Sequence, residues 1–144
     1  MFDSLIGTHP SFTALLLRVV LGVVFVAHGY PKLFKKDPGP KGVSGFLKSL
    51  GFPAPLFFAY VLGIVEFFGG LLTILGLWTR LAALLITIVM IVAMWKVKFK
   101  TGLILRAMEG GWVGGYELDL SLFAIAIALA ALGAGVFSVD HLWR

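Results

Sequence analysis

Residues 55–77 read PLFFAYVLGIVEFFGGLLTILGL, an apolar run in which Glu66 is the sole charged side chain. A helix of this length extends about 34 Å at about 1.5 Å per residue, enough to cross a hydrocarbon core of about 30 Å. A carboxylate near the centre of such a helix costs at least ~2.5 kcal/mol on insertion scales, so it must face other helices. This stretch therefore predicts a membrane protein with a polar interior.

The composition of the whole chain agrees with that prediction. Of its 144 residues, 60% are hydrophobic and 13% are charged, and the mean hydropathy is +1.02. Soluble domains carry roughly 25% charged residues, because charge is needed to cover a surface that faces water. A surface with half that charge faces lipid, which excludes a water-soluble domain. The length allows a single membrane domain over residues 1–144.

Three further apolar runs, at residues 11–30, 81–95 and 118–137, have lengths near that of a membrane span. With residues 55–77 they predict an all-α polytopic protein, an antiparallel bundle of four transmembrane helices. Between the first two spans, Val43, Phe46, Leu47 and Leu50 recur at helical spacing. They predict a short interfacial helix in the first cytoplasmic loop, and a helix that caps the bundle would need the same residues.

The basic residues outside the spans predict the orientation of the bundle. Nine lie in the first and third loops: Lys32, Lys35, Lys36, Lys41, Lys48, Lys96, Lys98, Lys100 and Arg106. The other side of the bundle carries Arg80 and Arg144. The positive-inside rule therefore places both basic loops in the cytoplasm and both termini outside, in the cell (inner) membrane. It also explains the net charge of +5, so no nucleic-acid partner is predicted.

Arg18 and Glu66 are the two charges deepest within spans. Measured from the same face of the membrane, Arg18 is roughly 10 Å deep and Glu66 roughly 16 Å deep. Long side chains on antiparallel neighbours can close that gap, so we predict a buried Arg18–Glu66 pair. Gly63, Gly69 and Gly70, at helical offsets from Glu66, clear one helix face for close packing, and Gly22 does the same on the first span.

A second polar layer is expected at the cytoplasmic ends of the spans. His28 and Lys32 close the first span one turn apart, and Glu117 and Asp119 open the fourth. Aromatic residues flank this layer, namely Trp95, Trp112 and Tyr116. The candidate binding residues of a buried polar site are thus Arg18, His28, Lys32, Glu66, Glu117 and Asp119.

Each of these residues also has a purely structural interpretation. Arg18 and Glu66 would then fix the helix register, and Lys32 would anchor its helix at the interface. Acids in the first turn of a helix are favoured by its dipole without any function. The chain has no Cys and no recognised metal-ligand spacing, so a thiol reaction and a metal site are not predicted.

The sequence resembles the DoxX family of small four-helix membrane proteins. The resemblance covers nearly the whole chain and lies in LRVVLGVVFVAHGYPKLF from Leu17, GIVEFFGGLLTILGLWTRLAA from Gly63, YELDL from Tyr116 and GAGVFSVD from Gly133. The family is named for its similarity to a membrane subunit of a thiosulfate:quinone oxidoreductase. It implies a polar site for a quinone headgroup or a small anion, but it supplies no catalytic residue to transfer.

Three functions remain open at this point, and so does the question whether the chain is an enzyme. The first is a membrane subunit of a quinone-linked oxidoreductase, to which a partner subunit delivers electrons. The second is a non-catalytic accessory or scaffold subunit of a larger respiratory or photosynthetic complex. The third is a carrier of a small solute or a proton. The lipid bilayer and other membrane-protein subunits are the expected partners, and homo-oligomerisation is left open.

Overall fold

The computed structural model describes residues 10–37, 39–99, 102–104, 106–108, 111–113 and 115–143. Residues 10, 11, 106–108 and 111–113 are described by their backbone alone. The predictions that involve Lys100, Arg144 and the side chains of Arg106 and Trp112 therefore lie outside the described residues. The helices are α1 (Pro10–Phe34), α2 (Gly39–Ser49), α3 (Pro55–Leu75), α4 (Thr79–Ala93), α5 (Glu117–Leu132) and α6 (Val139–Leu142). A π-helical turn, Met94–Lys98, continues α4, and β1 (Arg106–Met108) pairs antiparallel with β2 (Gly111–Val113).

Within the part of the chain that the structure describes, three helical segments are long and apolar enough to cross a membrane: Phe12–Phe34, Pro55–Leu75 and Thr79–Lys98. The fourth predicted span is shorter than expected, because α5 ends at Leu132 and not near residue 137. Gly133 follows with a positive φ of 82°, which stops the helix. The 16 residues of α5 extend about 24 Å, so a fourth crossing stays a prediction.

A helix does occupy the first loop, as the spacing of its apolar residues predicts. Val43 and Leu47 of α2 are buried and pack with Ala59 of α3. Its position in the membrane interface stays a prediction.

Glycines set how α1 and α3 pack. A Cβ on Gly22 would lie 2.6 Å from the carbonyl oxygen of Gly70, and one on Gly29 would lie 2.3 Å from the backbone nitrogen of Phe67. A Cβ on Gly63 would lie 2.7 Å from Leu33. The contacts run in opposite directions along the two helices, so α1 and α3 are antiparallel and their backbones nearly touch.

The other long helices form a second antiparallel pair. Near one end of the pair, Arg80 of α4 donates to the carbonyl of Ala131 of α5. At the other end, Lys98 pairs with Asp119. The buried core lies between the two pairs and is apolar: Leu21, Phe25, Ala83, Ile86, Met90, Leu122, Ala126 and Leu129. The molecule is thus two helical hairpins packed together.

Candidate functional site

The predicted Arg18–Glu66 pair is wrong, although both side chains are buried as expected. Arg18 is 1% exposed and Glu66 is 4% exposed. Arg18 lies beside Gly76, whose added Cβ would be 1.6 Å from the Nη1 atom of Arg18. Gly76 is ten residues beyond Glu66, which corresponds to about 15 Å along a helix. The prediction measured depth from the ends of the spans, whereas the glycine contacts fix a register that brings Lys32 to Glu66.

Lys32 and Glu66 form the ion pair at the centre of the candidate site. The Nζ atom of Lys32 is 2.5 Å from both carboxylate oxygens of Glu66. The lysine side chain is 23% exposed and the glutamate side chain is 5% exposed. Gly63 makes the pair possible, because its missing side chain leaves room for Leu33 and the Cβ of Lys32. The carboxylate is therefore held inside the bundle, and its cation lies at the edge.

His28 lies one turn before Lys32 on α1, and its side chain is exposed. It is close enough to interact electrostatically with Glu66. Its Nδ1 atom is 2.8 Å from the carbonyl oxygen of Val24, a contact that requires Nδ1 to donate a proton. In the neutral ring Nε2 is then the basic nitrogen, so Nε2 is the atom that can take up or release a proton.

The acids of the fourth predicted span, Glu117 and Asp119, lie at the same end of the bundle but outside the group around Glu66. Asp119, which is buried in α5, pairs with Lys98 of the π-helical turn at 2.7 Å. Glu117 begins α5 and is half-buried. The ring of Tyr116 stacks on Phe99 at 6.4 Å, and Trp95 is exposed with Lys96 over its ring. The structure therefore brings His28, Lys32 and Glu66 together and gives Asp119 a different cation.

Arg18 lies at the opposite end of the bundle, against the segment that follows α5. Its Nη2 atom donates to the carbonyl oxygen of Phe137, and Asp140 is near enough to interact with its charge. A Cβ on Gly76 would also lie 2.5 Å from Ser138. Arg18 thus joins α1 to the C-terminal segment and is not part of the group around Glu66.

Asp140 closes the turn between α3 and α4. Its two carboxylate oxygens accept from the backbone N–H groups of Trp78 and Thr79, at 2.7 and 2.9 Å. Its own N–H donates to the carbonyl oxygen of Gly76 at 2.9 Å. These amides are at the start of α4, where a carboxylate is favoured by the helix dipole.

Sequence reasoning missed the roles of Asp140 and Lys98. Asp140 follows the last predicted span, and no local motif connects it with a turn some 60 residues earlier. Lys98 was counted only as a positive-inside charge. The alternation of lysines at residues 96, 98 and 100 carried no signal for an extended helix, and the π-helical turn is what carries Lys98 to Asp119.

The fold and the buried charges define a class: a small, largely helical membrane protein with ion pairs between its helices. Within that class the family is shown directly, because the DoxX family model matches residues 13–98. The chain belongs to the DoxX family.

Relatives in several bacteria share most of their length with this chain. The Bacillus subtilis protein named "Putative oxidoreductase CatD" is 34% identical, over 88% of this chain and 83% of its own. An uncharacterised membrane protein of Mycobacterium tuberculosis is 35% identical, over 87% and 77% respectively. The inner membrane protein YphA of Escherichia coli is 28% identical, over 94% and 93%. No solved structure gave a significant match.

Proposed function

We propose that this chain is the membrane subunit of a quinone-linked oxidoreductase, with a polar site for a quinone headgroup or small anion at the Lys32 end of the bundle. The observation that carries the proposal is the Lys32–Glu66 ion pair with the exposed His28 beside it. The name of the Bacillus subtilis relative, "Putative oxidoreductase CatD", supports the same class of chemistry. The proposal includes four membrane crossings, with α5 and the residues after it as the fourth.

The donor set around Glu66 fits a quinone headgroup. A quinone moves within the bilayer and presents two carbonyl oxygens, so its site needs hydrogen-bond donors that can be reached from lipid. The side chain of Lys32 is partly exposed, and His28 is exposed on the same helix one turn away. Lys32 can donate to an acceptor oxygen from Nζ, and His28 can do so from Nε2 when its ring is protonated at both nitrogens.

When bound, a quinone accepts two electrons and two protons and becomes a quinol. A redox partner protein that carries a flavin or a metal centre supplies the electrons. His28 would start as the imidazolium, give its Nε2 proton to the headgroup and be left as the neutral ring, while the bond from Nδ1 to the carbonyl oxygen of Val24 holds the ring in place. The water next to the cytoplasmic loops reprotonates it and supplies the second proton. Lys32 stabilises negative charge on the headgroup, and Glu66 holds its ammonium group at the site.

Quinone binding by the purified protein tests the proposal. Titration with a short-chain ubiquinone should quench the intrinsic tryptophan fluorescence to saturation. His28→Leu removes a donor and should weaken binding about tenfold, since a hydrogen bond to a charged group contributes roughly 1.5 kcal/mol or more. Lys41→Gln removes an exposed lysine from α2 and should leave binding unchanged. Equal affinities for the parent protein and His28→Leu, or no saturable binding, would reject the site.

One observation favours the accessory-subunit function as a second candidate. Ala124 and Ala131 of α5 are exposed, and Ala128 between them is half-exposed. Small residues on a membrane-facing helix allow a second helix to approach closely. If this face docks another subunit, Ala128→Trp should release co-purifying subunits and leave ubiquinone binding intact. Retention of those subunits would argue against this role.

A further inference from the structure

A cavity lies at the end of the bundle opposite Lys32. It has a volume of about 640 Å³, is open on one side, and lies between the start of α4 and the segment that follows α5. Its walls include Thr79, Arg80, Gly133, Asp140 and His141. The group around Glu66 is at the other end of the bundle, so this cavity is independent of the site proposed above.

The charge around the cavity favours an anion. Among the described residues, two guanidinium groups and one carboxylate lie at this end, those of Arg18, Arg80 and Asp140. However these three groups pair with one another, one positive charge remains. His141 adds an exposed imidazole to the cavity wall.

Arg80 is the cation best placed to meet a ligand. Its guanidinium lies over Gly133, where an added Cβ would be 3.4 Å from Nε. It makes one long hydrogen bond, of 3.4 Å, to the carbonyl oxygen of Ala131. A guanidinium carries five N–H donors in a plane, which matches the oxygens of a phosphate. Gly133 therefore leaves space beside the guanidinium of Arg80, which is the group best suited to bind a phosphate.

Thr79 adds a buried polar group without a bond. Its side chain is fully buried in the cavity wall, and its hydroxyl has no hydrogen-bond partner among the described residues. The backbone amides at the start of α4 are already bonded to Asp140, so the helix terminus itself is not the binding site. A buried hydroxyl that finds no partner in the described part of the wall is an unsatisfied polar group, and it adds polar character to this part of the cavity.

The remainder of the cavity is apolar and continues onto the membrane face. Leu81 is 54% exposed, Leu132 is 56% exposed and Val136 is 48% exposed, and all three line it. Trp78 and Trp143 flank it and are also largely exposed, as tryptophans are at the level of lipid headgroups. A free phosphate ion would not contact these apolar surfaces. A phospholipid would contact the charged part of the cavity with its headgroup and the apolar part with an acyl chain.

We infer that this cavity binds the phosphate headgroup of an anionic phospholipid, with Arg80 and His141 on the phosphate and an acyl chain along Leu81, Leu132 and Val136.

Lipid binding to the full chain in mild detergent tests the inference. The probe is phosphatidylglycerol, and native mass spectrometry counts the bound lipid. The parent protein should retain phosphatidylglycerol at least tenfold more strongly than phosphatidylcholine. Arg80→Gln should abolish that preference and Arg80→Lys should keep part of it. Lys48→Gln removes an exposed lysine at the other end of the bundle and should change nothing.

Three results would overturn the inference: no preference between the two lipids, the same preference in Arg80→Gln, or competition by inorganic phosphate at the concentration of the lipid. Competition would show that a free anion occupies the cavity. Should Arg80→Gln fail to fold, His141→Gln alters an exposed side chain and should lower the preference severalfold. A brominated phosphatidylglycerol should quench Trp143 in the parent protein, and loss of half of that quenching in Trp143→Phe would locate the lipid. Ubiquinone binding, measured on the same samples, reports separately on the Lys32 end.

Discussion

Lys32 is the residue whose neighbourhood gives the clearest chemistry. A lysine near the end of a membrane helix usually extends to water, but this one contacts both oxygens of a buried carboxylate. A buried charge is tolerated only when it is paired, because removal of its partner leaves the cost of desolvation uncompensated. The pair should therefore show strong coupling in both stability and ligand binding.

We expect Lys32→Met to lower the free energy of unfolding by about 3 kcal/mol, since it strands Glu66 in the bundle. The double variant Lys32→Met/Glu66→Gln should recover most of that loss, because no buried charge remains. The measurement is denaturant unfolding in detergent, with Lys48→Met as the exposed control. Additive effects of the two substitutions would contradict the ion pair.

At this scale the sequence was informative about burial and uninformative about partners. Hydropathy alone requires Arg18 and Glu66 to face inward, and both are buried. The cation that pairs with Glu66 is set by the register of α1 against α3. That register has to be known to within one helical turn to identify the cation. Depth counted from the ends of apolar runs does not have that precision, so the wrong basic residue was chosen.

At the scale of elements, glycine is what fixes that register. Gly22, Gly29 and Gly70 lie where the two helix backbones come closest. The spacing predicts that Gly63, Gly69 and Gly70 clear one face of α3. Gly63 and Gly70 do so toward α1, whereas a Cβ on Gly69 would lie 3.8 Å from Ile86 of α4. The residues around Gly29 give no pattern that predicts its contact with α3.

Gly29→Ala should destabilise the protein by several kcal/mol, because its Cβ would lie 2.3 Å from the backbone nitrogen of Phe67 and would force α1 and α3 apart. Gly45→Ala is the matched control. A Cβ at Gly45 meets nothing within 4 Å, and alanine in that helix should add about 0.5 kcal/mol. Melting temperatures in one detergent would compare the two, and similar values would contradict the close packing of α1 and α3.

The start of α4 depends in a similar way on a distant residue. Asp140→Asn keeps the shape of the side chain but removes the charge that faces two amides and Arg18. We expect a loss of about 1–2 kcal/mol, which is typical of a lost helix cap with charge.

Hydrogen exchange at the amides of Trp78 and Thr79 should accelerate in Asp140→Asn, and proteases should cleave the C-terminal segment sooner. Asp37→Asn, which changes an exposed acid beyond the end of α1, should alter neither. Unchanged exchange at Trp78 would show that Asp140 does not hold the turn.

In the whole molecule, the two helical hairpins place their ion pairs in the same way. In each, a lysine near the end of the first long helix pairs with a buried acid on the second, Lys32 with Glu66 and Lys98 with Asp119. From apolar length the sequence predicted the approximate places of the three described helical segments that can cross a membrane, while the fourth crossing stays a prediction. The sequence did not predict the early end of α5, because an isolated glycine among apolar residues does not by itself mark a terminus.

The number of crossings decides where the C-terminus lies. If α5 and the segment after it complete a fourth crossing, Asp37 and Leu142 are on opposite sides of the membrane. The chain has no Cys, so single variants Asp37→Cys and Leu142→Cys give clean labels. An impermeant maleimide added to intact cells should modify Leu142→Cys and spare Asp37→Cys, with permeabilised cells as the control. Labelling of both or of neither would rule out the fourth crossing.

The contact between Arg18 and the carbonyl of Phe137 joins residues 119 positions apart in the chain. At a synthesis rate of roughly 5–20 residues per second, the ribosome needs on the order of 6–24 s to supply the acceptor after Arg18 has emerged. During that interval the first helix carries its guanidinium without the partner it has in the finished protein. We therefore expect the guanidinium of Arg18 to need another polar contact, from water, lipid headgroups or the translocon, until translation is nearly complete.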